Sequence, residues 1–192
     1  MSESIFFFDT ETGGLDPKRH DILQASWIIE KNGAVIVERV FDVKPDPCSD
    51  ICMAALEVNN FSIERMMAGK ERVMVLEILR QDVAAAVGGG KALYPCGHNV
   101  RFDVDFLHAL AQKGSETWWL NFSPQTQYIM LKKQLCTLSM CHILDYRGLL
   151  SLQDYKLVSI CKHLGIENIN AHDALSDVRA TRELFHRLEK ML

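Results

Sequence analysis

Apolar positions recur with two different periods along this chain, and each change of period marks a passage between strand and helix. Residues 5–8 (Ile-Phe-Phe-Phe) form a short apolar run of strand type that ends at Asp9, and Gly13-Gly14 punctuate a turn soon after. Residues 24–30 and 34–43 are rich in Ile, Val, Trp and Phe. Lys31-Asn32-Gly33 lies between them as a hairpin turn, so the chain is predicted to open as an antiparallel meander.

From residue 62 to 87 the period lengthens, with Val73, Leu76, Leu79, Val83 and Val87 at three- and four-residue steps. This predicts a helix interrupted near Gly69 and stopped by Gly88-Gly89-Gly90. Residues 92–97 predict another short strand, which Pro95, having no amide donor, pushes toward a sheet edge or an early end. Residues 103–113 return to helix, and an apolar segment covers 135–144. Two further helices are expected near 156–164, closed by Gly165, and over 174–192. Residues 114–134, with Trp118, Trp119 and Pro124, show no period and read as an insertion. Strands first, then strand and helix in alternation, describe an α/β layered domain with a mixed sheet.

Composition narrows the class. With 192 residues, 48% hydrophobic and 24% charged, the chain has the balance of an ordinary globular protein of one domain. No apolar run approaches the ~20 residues of a membrane helix, and the N-terminus has no basic stretch ahead of its apolar run. A cytoplasmic protein with no membrane contact is expected. The six cysteines read as buried small hydrophobes; Cys48 and Cys52 have a spacing that zinc sites use, but no second Cys or His pair lies near them. A formal net charge of −4 argues against coating a duplex through many phosphates. A grip on a few terminal nucleotides needs fewer cations, and Lys18, Arg19, Arg101, Lys132, Lys133 and Arg147 are available for it.

Three short segments carry candidate chemistry. In Phe8-Asp9-Thr10-Glu11-Thr12-Gly13-Gly14-Leu15, alternation along a strand points Asp9 and Glu11 to one face. Two carboxylates near a core imply a cation between them, and a hard divalent ion suits the oxygens; an exposed acidic turn is the plain alternative. In the segment from Gly97 to Leu107, Asp103 sits in the first helical turn, where the helix dipole also favours it as a cap, and Asp105 faces away. In His172-Asp173-Ala174-Leu175-Ser176-Asp177, the imidazole has the ordinary pKa of ~6.5 that suits proton transfer near neutrality, although a lone His at a helix start is usually structural.

These segments, in this order from Phe8 to Asp177, resemble the three exonuclease motifs of the DEDDh group within the DnaQ-like, ribonuclease H-like superfamily. The resemblance implies a mixed five-stranded sheet flanked by helices, with residues 1–192 forming one exonuclease domain. It implies that Asp9, Glu11, Asp103 and Asp177 hold two divalent cations, Mg²⁺ with Mn²⁺ as substitute, and that His172 is the general base. Water would attack the terminal phosphodiester at the 3′ end of single-stranded or frayed DNA, favoured over RNA, and release a nucleoside 5′-monophosphate. The turn of Thr12, Gly13 and Leu15 would meet the terminal sugar and base, with His98, Asn99 and Phe102 lining the same pocket. The oligoribonuclease branch fits less well, because its first motif has Leu and Met where this chain has Thr10 and Thr12. An exoribonuclease and a catalytically silent docking module of a replication or repair complex are the competing readings. A homodimer stays open, as does association with a polymerase, for which no extension follows the last helix.

Overall fold

The strand that carries the first motif lies inside the sheet, because its side chains are apolar on both faces. In this computed structural model, which describes residues 4–88, 93–113, 133–170 and 172–192, β1 (Ser4–Thr12) holds Phe6, Phe7 and Phe8 at no more than 1% exposure. A continuous apolar run of this kind is what a doubly covered strand requires. Removing one such ring, as in Phe7→Ala, costs about 3–5 kcal/mol in a packed core.

β1 pairs antiparallel with β2 (Ile22–Lys31), and β2 pairs antiparallel with β3 (Ala34–Lys44). The hairpin between β2 and β3 turns on Asn32 and Gly33 at φ of 52° and 79°. Both are left-handed, and a two-residue turn of that hand matches the twist of the flanking strands. On its other side β1 pairs parallel with β5 (Tyr94–Gly97), which pairs with β6 (Leu135–Cys136). The two-residue β4 (Lys70–Glu71) joins the far end of β3, giving the order β4-β3-β2-β1-β5-β6.

Six strands therefore replace the expected five, within the mixed α/β class. The addition comes from the interruption at Gly69, which lies against β3 so closely that a Cβ there would sit 2.8 Å from Val43 C and Lys44 N. The helical stretch expected around it divides into α2 (Ile63–Met67), β4 and α3 (Arg72–Val87), preceded by α1 (Met53–Val58). Pro95 also departs from expectation: β5 is an interior strand. It is tolerated because β6 pairs only with Cys96 and Gly97, so one flank of Pro95 has no strand partner among the described residues.

Helices cover both faces of the sheet. α3 and α4 (Val100–Lys113) pack on the face of Phe6, Phe8, Ala25 and Trp27, whose indole Nε1 donates to Asp82 Oδ2 at 3.1 Å. On the opposite face, α7 (Ala174–Glu189) places Val178 and Phe185 against Phe7, Ile28 and Cys96. α5 (Thr137–Tyr146) and α6 (Leu157–Leu164) pack on α7 through Cys141, Leu144, Ile160 and Leu184. Gly165 closes α6 in the left-handed conformation at φ 65°.

Cys96, Cys141 and Cys161 are buried and Cys136 half-buried, but Cys48 and Cys52 are exposed, so those two are not core residues. Neither belongs to a potential metal-binding group among the described residues. Residues 114–132, including Trp118 and Trp119, lie outside the described residues. No helix among the described residues is long and apolar enough to cross a membrane.

Candidate active site

The end of β1 and the first turns of α4 and α7 bring the three segments together. Asp9 and Glu11 extend the row begun by Phe7 and face α7, as strand alternation requires. Thr10 points the other way, where its amide and hydroxyl donate to Asp103 Oδ1 at 3.0 and 2.8 Å. Asp103 thus ties α4 to β1 instead of serving only as a helix cap. Asp105 lies outside this group and pairs with Arg101 at 2.9 Å.

Asp177, in the first turn of α7, accepts from Asn168 Nδ2 at 2.8 Å and from the His172 amide at 3.2 Å. The loop ahead of α7 is fixed locally. Asp173 caps the helix by accepting from Ser176 N at 3.1 Å, and Gln24 Oε1 of β2 accepts from Ala174 N at 2.9 Å. His172 itself has φ 66°, in the left-handed region that only a few per cent of non-glycine residues adopt, histidine more readily than most. Residues held in such conformations tend to cluster at working sites.

Oxygens of Glu11 and Asp177 and a ring nitrogen of His172 all lie within 4.8 Å of one another. The electrostatics show how crowded the group is. Burial pushes Glu11 up to about 8, with the charges of Asp177 and Asp103 adding to it. Asp9 is raised well above the carboxylate range by burial and then by Asp103, Asp177 and Glu11. Burial raises Asp103 to about 7 despite its two bonds from Thr10, and raises Asp177 despite Asn168 and the His172 amide. Arg65, whose charge reaches Glu11, is engaged in a two-point pair with Asp42 at 2.8 Å. Hard oxygen donors with one imidazole, and no thiolate, fit Mg²⁺ or Mn²⁺.

Two clefts, each of about 560 Å³, open on either side of this group. Glu11, Thr12, Leu15, Ala55, Val58 and Phe102 line the first, and Leu15 is 84% exposed there. His98, Asn99, Tyr155, Lys156, His172 and Asp177 line the second. The single pocket expected for Thr12, Leu15, His98, Asn99 and Phe102 is therefore divided, with Phe102 on one side and His98 and Asn99 on the other.

Gly13 lines neither cleft. Its amide donates to Asp21 O at 2.9 Å, its carbonyl accepts from Cys52 N at 2.7 Å, and a Cβ would fall 2.9 Å from Ile51 Cδ1. These two backbone bonds fix the turn at Gly13, and an added Cβ would crowd only the movable end of the Ile51 side chain. His98 is likewise engaged at both ring nitrogens, with Thr137 Oγ1 at 3.0 Å and the Tyr155 carbonyl at 2.9 Å. Burial lowers its pKa, so the neutral ring donates from Nε2 to that carbonyl.

Sequence reasoning missed Asn168, Tyr155 and Lys156. Only the Asp173–Ser176 cap offered a local signal near Asn168, whose Oδ1 accepts from Ser176 Oγ at 2.8 Å.

Comparison with known proteins agrees with this architecture. A family model for exonucleases of the RNase_T type matches residues 6–185. The chain is 27% identical over 184 residues to the PolC-type DNA polymerase III of Thermotoga maritima, covering 96% of this chain and 12% of that protein. With the PolC-type enzyme of Latilactobacillus sakei it shares 25% identity over 189 residues, covering 98% and 11%. Among solved structures, a zinc-bound complex of E. coli Exonuclease I with single-stranded DNA matches at a TM-score of 0.79 and 22% identity, over 100% of this chain and 41% of that one. Exonuclease I from Methylocaldum szegediense matches at 0.78 and 19%, over 98% and 40%. These two likenesses concern the fold, and the chain spans less than half the length of any of these four proteins. The match from residue 6 to residue 185 covers all three acidic segments and reaches every strand of the sheet, and by it the chain belongs to the RNase_T exonuclease family.

Proposed function

We propose that this chain is a metal-dependent 3′→5′ exonuclease that removes nucleoside 5′-monophosphates from single-stranded DNA. The observation that supports this reading is the group of Glu11, His172 and Asp177, whose ligand atoms lie within 4.8 Å of one another, with Asp9 and Asp103 near enough for their charges to bear on it. Asp9, Glu11, Asp103 and Asp177 would hold two divalent cations, Mg²⁺ or Mn²⁺. When bound, such a pair neutralises phosphodiester charge and favours in-line attack by water.

The remaining work falls to side chains of the chain itself. Thr10 and Asn168 hold Asp103 and Asp177 in single orientations, so the oxygens are arranged before substrate arrives. The exposed ring of His172, within 4.8 Å of the Glu11 and Asp177 oxygens, takes the proton from the attacking water at a ring nitrogen. Leu15 and Phe102 offer apolar surface to the terminal base in the first cleft, and Thr12 shapes the turn beneath it through a 2.7 Å bond from its hydroxyl to Gly14 O. DNA is the preferred strand in this reading. The matched E. coli Exonuclease I complex, which contains single-stranded DNA, supports that choice.

The test is hydrolysis of single-stranded DNA and RNA oligonucleotides with free or blocked 3′ ends, in Mg²⁺, in Mn²⁺ and in chelator. Asp9→Ala is the control. Ladders that need metal, a free 3′ end and Asp9 are expected, faster on DNA. No metal-stimulated cleavage would overturn the reading in favour of a docking module, and faster cleavage of RNA would overturn the choice of sugar.

A further inference from the structure

The second cleft has no assigned occupant, and its position restricts what it can take. Glu11 lines the first cleft, whereas His172 and Asp177 line the second. Their ligand atoms lie within 4.8 Å of one another, so one phosphodiester can touch residues of both clefts. If the terminal nucleoside fills the apolar first cleft and its phosphate meets the carboxylates, the rest of the strand must leave across the second.

That path carries a further phosphate, and a cation lining it would meet that charge in addition to any metal held by the carboxylates. Several cations that the sequence offered are engaged elsewhere. Arg19 pairs with Asp50 at 2.8 Å, Arg101 with Asp105 at 2.9 Å, and Arg147 Nη1 donates to Leu192 O at 3.0 Å. Lys156 lines the second cleft, is exposed, and makes no salt bridge among the described residues.

The backbone that carries Lys156 is well anchored. Its own amide donates to Asp154 Oδ1 at 3.0 Å, and the preceding carbonyl, of Tyr155, accepts from His98. The Tyr155 ring stands edge-on to His142, with centroids 5.2 Å apart, and His142 lines the same cleft. An ammonium on a fixed segment loses less freedom on meeting a phosphate than one on a loose loop.

We infer that the second cleft takes the nucleotide on the 5′ side of the scissile bond, with Lys156 as the cation that meets its phosphate. This assignment rests on the exonuclease reading above for the direction of the strand.

The experiment measures binding of a 5′-fluorescein-labelled oligothymidylate by anisotropy, in Ca²⁺ and across a salt series, for the full chain and for Lys156→Gln and Lys156→Arg. Lys156→Gln should weaken binding about 5- to 20-fold at low salt and reduce the slope of log K against log salt by about 0.7, the loss of one phosphate contact to a single strand. Lys156→Arg should restore most of the affinity. Affinity for thymidine 5′-monophosphate, which fills only the first cleft, should change less than twofold in either variant. An unchanged affinity and slope in Lys156→Gln, or equal weakening toward the mononucleotide, would overturn the assignment.

Hydrolysis by the unaltered chain is read separately. Its absence, with binding still weakened by Lys156→Gln, would sink the exonuclease reading and leave the strand-binding cleft standing. Failure of the unaltered chain to bind the oligonucleotide would overturn both.

Discussion

Glu11→Gln should make the metal-free protein more stable at alkaline pH, and the size of the effect follows from the crowding of the carboxylates. Burial together with Asp177 and Asp103 moves Glu11 from 4.5 to about 8 in the folded chain. Below the unfolded value the group is protonated in both states and imposes no penalty. Between the two values the folded chain retains a proton that the unfolded chain has lost, so stability falls as pH rises, and above about 8 the full penalty applies.

At about 1.4 kcal/mol for each tenfold change in ionisation constant, this span is worth at most about 5 kcal/mol. Asp9 and Asp103 are raised as well, so a single neutral replacement also relieves its neighbours, and about 2–5 kcal/mol is the expected gain. For a domain of this size, that is a rise in Tm of roughly 5–15 °C.

The assay is thermal unfolding by circular dichroism, in chelator, from about pH 5 to pH 9. The unaltered chain should lose stability steadily across this range, and Glu11→Gln should lose less. Added Mg²⁺ or Mn²⁺ should raise the unaltered chain more than the variant. Tm values for the two that agree within about 2 °C at every pH would refute the argument, because they would mean that Glu11 does not share a buried site with other charges.

Two further outcomes test the division of labour within the site. His172→Ala should reduce turnover by about 10²- to 10⁴-fold with oligonucleotide affinity retained, as for a lost acid–base group; an unchanged single-turnover rate would remove His172 from proton transfer. Asn168→Ala removes the 2.8 Å bond to Asp177 and should weaken Mn²⁺ affinity by about 10- to 100-fold, measured by calorimetry, whereas unaltered affinity would show that Asp177 needs no such support.

Features that depend on a few consecutive residues were legible before any coordinates. The hairpin at Asn32-Gly33 follows from two residues that tolerate a left-handed backbone, and the close of α6 at Gly165 follows for the same reason. The placement of Asp9 and Glu11 on one face follows from strand alternation alone. Grouping them with Asp103, His172 and Asp177 was legible only through resemblance, because no local period relates residues so far apart.

What depends on two distant segments meeting was not legible. Gly69 looked like a helix break, yet its lack of a side chain is what lets the chain lie against β3 and add a strand. Pro95 predicted an edge strand, whereas β5 is interior and accommodates the proline because β6 begins pairing only at Cys96. The residues expected to share one pocket line two clefts, Phe102 the first and His98 and Asn99 the second. Asn168 and Lys156 carry no motif, and they matter only through what the fold sets beside them. Backbone preference acts over a few residues and can be read along the chain, whereas burial, close approach and the meeting of charges exist only once the sheet and its helices have closed around them.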